Sequence, residues 1–131
     1  MNLDSLRSLQ QRLRVASGAD RELDFAIIDA LFPPDEWPMQ VRHDATFLYT
    51  TYPDGLGACV GLMTATLPVV KFYEISVYLD DEPGFYASIE TSEEGTGHVA
   101  KSRVSPSFAF LDAIFSAVIS QLEAQQTETT G

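Results

Sequence analysis

The stretch KFYEISVYLDDEPGFYASIE, residues 71–90, decides the fold. Tyr73, Ile75, Val77 and Leu79 fall on one side of it, and Phe72, Glu74, Ser76 and Tyr78 on the other. That is the period of a pleated strand, whose successive side chains point to opposite faces. After DDEPG, Phe85, Ala87 and Ile89 alternate with Tyr86, Ser88 and Glu90. Pro83-Gly84 suits the centre of a type II turn, because proline fixes a negative φ and glycine accepts the positive φ that follows. Glu93-Glu94-Gly95-Thr96-Gly97 reads as a second turn, and His98–Val104 as a weaker third strand. The segment is expected to form a three-stranded antiparallel meander. Thr46–Thr50 reads either as a further short strand or as an extended lead into a helix.

Helical patterns surround this sheet. Leu3, Leu6, Leu9 and Leu13 recur at helical spacing over residues 2–14, with Arg7, Gln10, Gln11 and Arg14 off that stripe. Ser17–Asp20 interrupts the pattern, and Asp20 suits an N-cap. A second helix is expected from about Arg21 to Leu31, with Leu23, Ile27 and Ala30 as its stripe, widened by Phe25, Ile28 and Phe32. The prolines of FPPDEWP end it. Tyr52-Pro53-Asp54 opens a third helix over GLGACVGLMTAT, whose glycines weaken it and would permit close approach to a neighbour. Ser105-Pro106 is an N-cap followed by a first-turn proline. Beyond it Phe108, Leu111, Phe115, Val118 and Leu122 make a strict stripe, extended by Phe110, Ile114 and Ala117, while Asp112, Ser116 and Glu123 mark the wet side. Residues 125–131 read as a polar, frayed tail. Segregated helices and hairpins imply an α+β domain over residues 1–124. Its three- or four-stranded antiparallel sheet would pack with the N-terminal helices and a long C-terminal helix, in an α-β-α sandwich-like arrangement.

A chain of 131 residues, 45% of them hydrophobic, is enough for one domain with a real core. Eight basic against nineteen acidic residues give a net charge of −11. That balance disfavours direct nucleic-acid binding, where cations must replace the counterions of phosphate, and disfavours an anionic membrane for the same reason. No uninterrupted apolar run reaches the length of a membrane span, and the N-terminus has no signal-peptide core. A soluble protein of a reducing cytoplasm is expected. The lone cysteine, Cys59, sits in an apolar run and reads as a buried, inert thiol.

Three segments resemble a known family. LRVASGADRELDFAIIDAL (Leu13–Leu31), YTTYPDG (Tyr49–Gly55) and Ser105-Pro106 with FAFLDAIFSAV (Phe108–Val118) are similar to small phage and prophage proteins of alphaproteobacteria, described as a phage α-β-α sandwich domain of unknown function. RELD is the most specific piece. Gly55 and Gly57 stand where the family favours alanine, and VVKFYEISVYL replaces its tryptophan-rich strand. The resemblance implies a fold, and it supplies no catalytic residues.

No residue set earns a catalytic, cofactor-binding or metal-ligating role from the sequence, and an enzyme is not expected. His43 and His98 lack partners at metal-ligand spacing. Asp35-Glu36 with His43-Asp44 reads as a polar loop in preference to a cation site. A Ser105/His98/Asp112 triad has no nucleophile elbow, and Ser105 already caps a helix. GTGH (Gly95–His98) lacks the ending of a phosphate loop. The carboxylates of RELD suit the positive end of a helix dipole.

Residues 72–98 hold seven acids and no Lys or Arg. Asp80, Asp81 and Glu82 share one turn, and Glu93 and Glu94 the next. Phe72, Tyr78 and Tyr86 share the face opposite Ile75. Together, Phe72, Tyr78, Tyr86, Asp80, Asp81 and Glu82 form the candidate interaction surface. The leading reading is a non-enzymatic interaction module with a protein partner. The alternative is an acidic inhibitor of a host defence or nucleic-acid-binding protein, and an uncharacterised enzyme ranks third. Arg7, Arg12, Arg14 and Arg21 near the N-terminus, opposite in sign to the acidic hairpin, offer one way to pair two copies as a homodimer.

Overall fold

The structure, a computed structural model, describes residues 2–32, 49–51, 54–79, 84–91 and 97–130. The helices are α1 (Leu3–Val15), α2 (Arg21–Leu31), α3 (Asp54–Thr66) and α4 (Pro106–Thr130), and the strands are β1 (Phe72–Tyr78), β2 (Gly84–Glu90) and β3 (Gly97–Ser102). The fold is α+β, with a three-stranded antiparallel sheet in the order β1-β2-β3.

The register is regular. Phe72 pairs with Glu90 and Tyr78 with Gly84; Phe85 pairs with Ser102 and Glu90 with Gly97. Gly84 is therefore the first residue of β2, not the centre of a turn. It stands across from Tyr78 in the register. Pro83 lies outside the described residues, as do Thr46–Leu48, Tyr52 and the acids Asp80, Asp81, Glu82, Glu93 and Glu94.

The helix caps form as their residues dictate. Asp20 Oδ1 accepts from the backbone N–H groups of Glu22 (2.9 Å) and Leu23 (3.2 Å), and Ser105 Oγ accepts from Phe108 N–H at 3.2 Å. α4 runs on to Thr130 through the expected tail, because no glycine or proline intervenes before Gly131.

α4 is the central element. One side packs along β2 and β3, and the other meets α1 and α3. Phe108, Phe110, Leu111, Ile114, Phe115 and Val118 are all at most 2% exposed. Over Pro106–Gln126 the mean hydropathy of 1.3 would suffice to cross a membrane, and 67% of that window is buried inside the protein, as befits a core helix.

Of the expected wet side of α4, Glu123 is exposed, Ser116 is half-buried and Asp112 is not wet. Asp112 is buried and faces α1. Gln10 Nε2 donates to Asp112 Oδ1 at 2.7 Å and to Ser116 Oγ at 2.8 Å, and Arg14 Nε donates to Asp112 Oδ2 at 3.1 Å. Arg7, one turn before Gln10 on α1, pairs with Glu123, two turns beyond Ser116 on α4. The two helices run antiparallel, joined by polar side chains flanking the leucine stripe. Phe25 departs in the opposite sense: it is exposed beneath the Arg21 guanidinium instead of widening the core stripe of α2. Two glycines of α3 also differ from expectation. A Cβ at Gly57 or Gly61 would meet nothing within 4 Å, so neither is needed for close approach.

Candidate functional site: the uncovered face of the sheet

α4 covers the sheet face carrying Ile75, Ala87, Ile89 and Ala100. The opposite face has no described helix packed along it. Three registered rows cross it: Phe72, Glu90 and Gly97; Glu74, Ser88 and Val99; Ser76, Tyr86 and Lys101. Tyr78 completes it at one corner. The strand period thus brings together Phe72, Tyr78 and Tyr86, the three aromatic residues assigned to this face from sequence. Their acidic companions Asp80, Asp81 and Glu82 are not among the described residues.

Tyr86 is the centre of the face. Tyr78 lies diagonally across from it, and the two rings meet edge-on with centroids 4.3 Å apart. From the other side, Lys101 Nζ sits 5.5 Å above the Tyr86 ring, a cation–π contact. Ser76 Oγ donates to Glu74 Oε1 at 2.9 Å, fixing a polar margin. Glu74, Ser76, Tyr78, Tyr86, Ser88 and Val99 line a groove of about 190 Å³ across the strands. Val99, which is 66% exposed, and Lys101 belong to this surface and were missed from sequence. Only the β2–β3 register places them there, and a weak strand such as HVAKSRV does not announce its register.

The inner face of β1 is less covered than its pattern implies. Tyr73 stacks on Phe110 with centroids 5.5 Å apart, yet Val77 and Leu79 remain exposed. α4 lies over β2 and β3 and leaves the outer strand overhanging.

A second polar cluster is buried, and no sequence motif pointed to it. The short turn Tyr49–Thr51 lies among three helices. Asp24 of α2 accepts from Thr50 N–H at 2.8 Å and from the Thr50 hydroxyl at 3.0 Å. The Cys59 thiol of α3 donates to the Tyr49 carbonyl at 3.4 Å, and Ser107 of α4 donates to the Thr51 carbonyl at 2.6 Å. Burial pushes the Asp24 carboxyl up to about 6 despite the hydrogen bonds from Thr50, which favour its charge. Burial, and then the charges of Cys59 and Asp24, push the Tyr49 phenol up to about 12. Burial first, and then the Asp24 charge, push the Cys59 thiol upward, which disfavours a reactive thiolate. Every polar atom named here is satisfied by the protein itself, so the cluster fastens the turn. The carboxylates of RELD part company: Glu22 is exposed, and Asp24 is buried as that fastener.

The remaining sequence candidates do not converge. Ser105 caps α4 and Asp112 is held by Gln10 and Arg14. His98, the second residue of β3, stands opposite Ile89, and partial burial holds its imidazole below the usual value. Asp35, Glu36, His43 and Asp44 lie outside the described residues. Among the described residues, no group of three or more His, Cys, Asp or Glu side chains is placed to hold a metal ion. A larger trough of about 570 Å³ runs between α1 and α2, lined by Ser8, Arg12, Asp29 and Ala30 among others.

No protein-family model matches the chain, and no curated protein or solved structure matches it either. The likeness to phage and prophage proteins rests on the three sequence segments alone.

Proposed function

We propose that this chain is a small, acidic, non-catalytic protein of the phage or prophage type, acting as a protein-interaction module through the uncovered face of its sheet. The observation that carries the reading is the Tyr78–Tyr86–Lys101 cluster at the centre of that face. Aromatic side chains that are exposed, clustered and rimmed by polar groups are the usual chemistry of a docking surface. The rings already restrain one another, so docking a partner on them loses little side-chain freedom. Glu74, Ser76 and Ser88 supply hydrogen-bonding groups at the rim, and the groove between strands offers an inserted side chain a seat.

Capture from bacterial host lysate tests the reading. Wild type is compared with Tyr78→Ser/Tyr86→Ser and with Asp80→Asn/Asp81→Asn/Glu82→Gln. A partner lost only by the tyrosine variant supports the aromatic face. A basic nucleic-acid-binding partner lost only by the acidic variant favours an inhibitor that works through charge.

A further inference from the structure

Among the described residues, β1 is an edge strand without the usual defences. Proteins protect such edges with lysine, proline, bulges, short strands or a covering element, because an open edge offers unpaired backbone groups to any other strand. β1 has seven residues in unbroken register with β2, with no proline, no bulge and no Lys or Arg, and Glu74 is its sole charge. On one face Phe72 and Tyr78, and on the other Tyr73 and Val77, are each between 43% and 55% exposed. Leu79, just beyond the strand, is 88% exposed. Lys71 stands just before β1, whereas the opposite edge carries a cation within the strand: β3 has six residues, holds Lys101 and leads directly into Arg103.

We infer that β1 pairs antiparallel with β1 of a second copy about a two-fold axis at Ile75, joining two three-stranded sheets into one. This concerns the strand's edge, and it stands independently of any foreign protein that docks on the face.

The sequence of the strand selects the partner and the register. Pairing across an isologous axis must keep inner residues opposite inner residues, because strand side chains alternate faces. Three axes satisfy this near the strand's middle: through Glu74, Ile75 or Ser76. An axis at Glu74 would put two carboxylates face to face. An axis at Ser76 leaves Phe72 without an opposing residue in the partner strand. The axis at Ile75 pairs all seven residues with strand residues: Phe72 with Tyr78, Tyr73 with Val77, Glu74 with Ser76, and Ile75 with its own copy. Every exposed apolar residue of the strand then meets another, and each Glu74 faces a hydroxyl. The interface also presents one charged residue per strand, on a protein that otherwise repels its like through a net charge of −11. Across the joined sheet, Phe72 of one copy would extend the Tyr78–Tyr86 cluster of the other.

Sedimentation over about 5–500 μM should show a monomer–dimer equilibrium that tightens as salt rises, because salt screens the repulsion between acidic chains. Ser76 faces Glu74 twice across the axis. Ser76→Glu should therefore weaken the dimer about three- to ten-fold, and Ser76→Lys should tighten it by a similar factor. Far-UV circular dichroism confirms that each variant is folded. Oxidation of variants with one cysteine added at 74, 75 or 76 reads the axis directly, because only the residue on it meets its own copy within disulfide reach. The inference expects Ile75→Cys to cross-link fastest, with buried Cys59 silent in all three. A monomer across the whole concentration range, fastest cross-linking at 74 or 76, or charge variants that sediment like wild type would each overturn it.

Discussion

Asp24 carries the sharpest quantitative test. Its carboxyl is 2% exposed and its pKa rises from 3.8 to about 6. The folded protein therefore holds a proton between about pH 4 and 6 that the unfolded chain releases. A raised carboxyl pKa means stability that is greatest below the unfolded value and falls as pH rises through the folded one. At about 1.4 kcal/mol per pH unit, the full loss is about 3 kcal/mol. Between about pH 5 and 7.5, safely above the pI of about 4.3, the same relation leaves roughly 1.5 kcal/mol. Other acids titrate in this range too, so the useful quantity is the difference between wild type and Asp24→Asn. The amide keeps an oxygen for the Thr50 N–H, and its NH₂ donates to the Thr50 hydroxyl, without ever ionising. Urea unfolding at constant salt should show the variant gaining about 1.5 kcal/mol on wild type from pH 5 to 7.5. Parallel stability curves, or a variant that loses ground as pH rises, would refute the reasoning, because the ionised carboxylate would then be a net asset.

Gly57→Ala and Gly61→Ala should each stabilise by about 1 kcal/mol, raising the thermal midpoint, since each replaces an exposed mid-helix glycine with nothing for the new methyl to strike. Phe115→Ala should cost roughly 3–5 kcal/mol in chemical denaturation, because the ring is fully buried in the core. Cys59 should resist a thiol reagent at pH 8 in the native protein and react promptly in denaturant, since it has no exposure and an upward-shifted pKa.

What the sequence made legible was local. The Ser105-Pro106 cap and the Phe108–Val118 stripe need only neighbours three and four residues away, and α4 forms as its pattern dictates. The β1–β2 alternation likewise placed Phe72, Tyr78 and Tyr86 on one face. Contacts between distant segments were not legible. Nothing near Asp112 reveals that Gln10 and Arg14, about a hundred residues earlier, turn its side of α4 into an interface. Nothing in RELD reveals that Thr50 will occupy Asp24. Val99 and Lys101 join the candidate site only through the β2–β3 register. Polar residues off an apolar stripe read as solvated by default, and here two of them, Gln10 and Asp112, are buried because they satisfy each other.

The account stands on the proposal that the sheet face opposite α4 is a docking surface. Its most direct measurement is the affinity of the purified, captured partner for wild type, for Tyr78→Ser/Tyr86→Ser, and for Val15→Ser, a control that removes an 81% exposed apolar side chain from α1 instead. The prediction is at least a ten-fold loss for the tyrosine variant, about 1.4 kcal/mol or more, with the control unchanged. Equal affinity for all three folded proteins would contradict it.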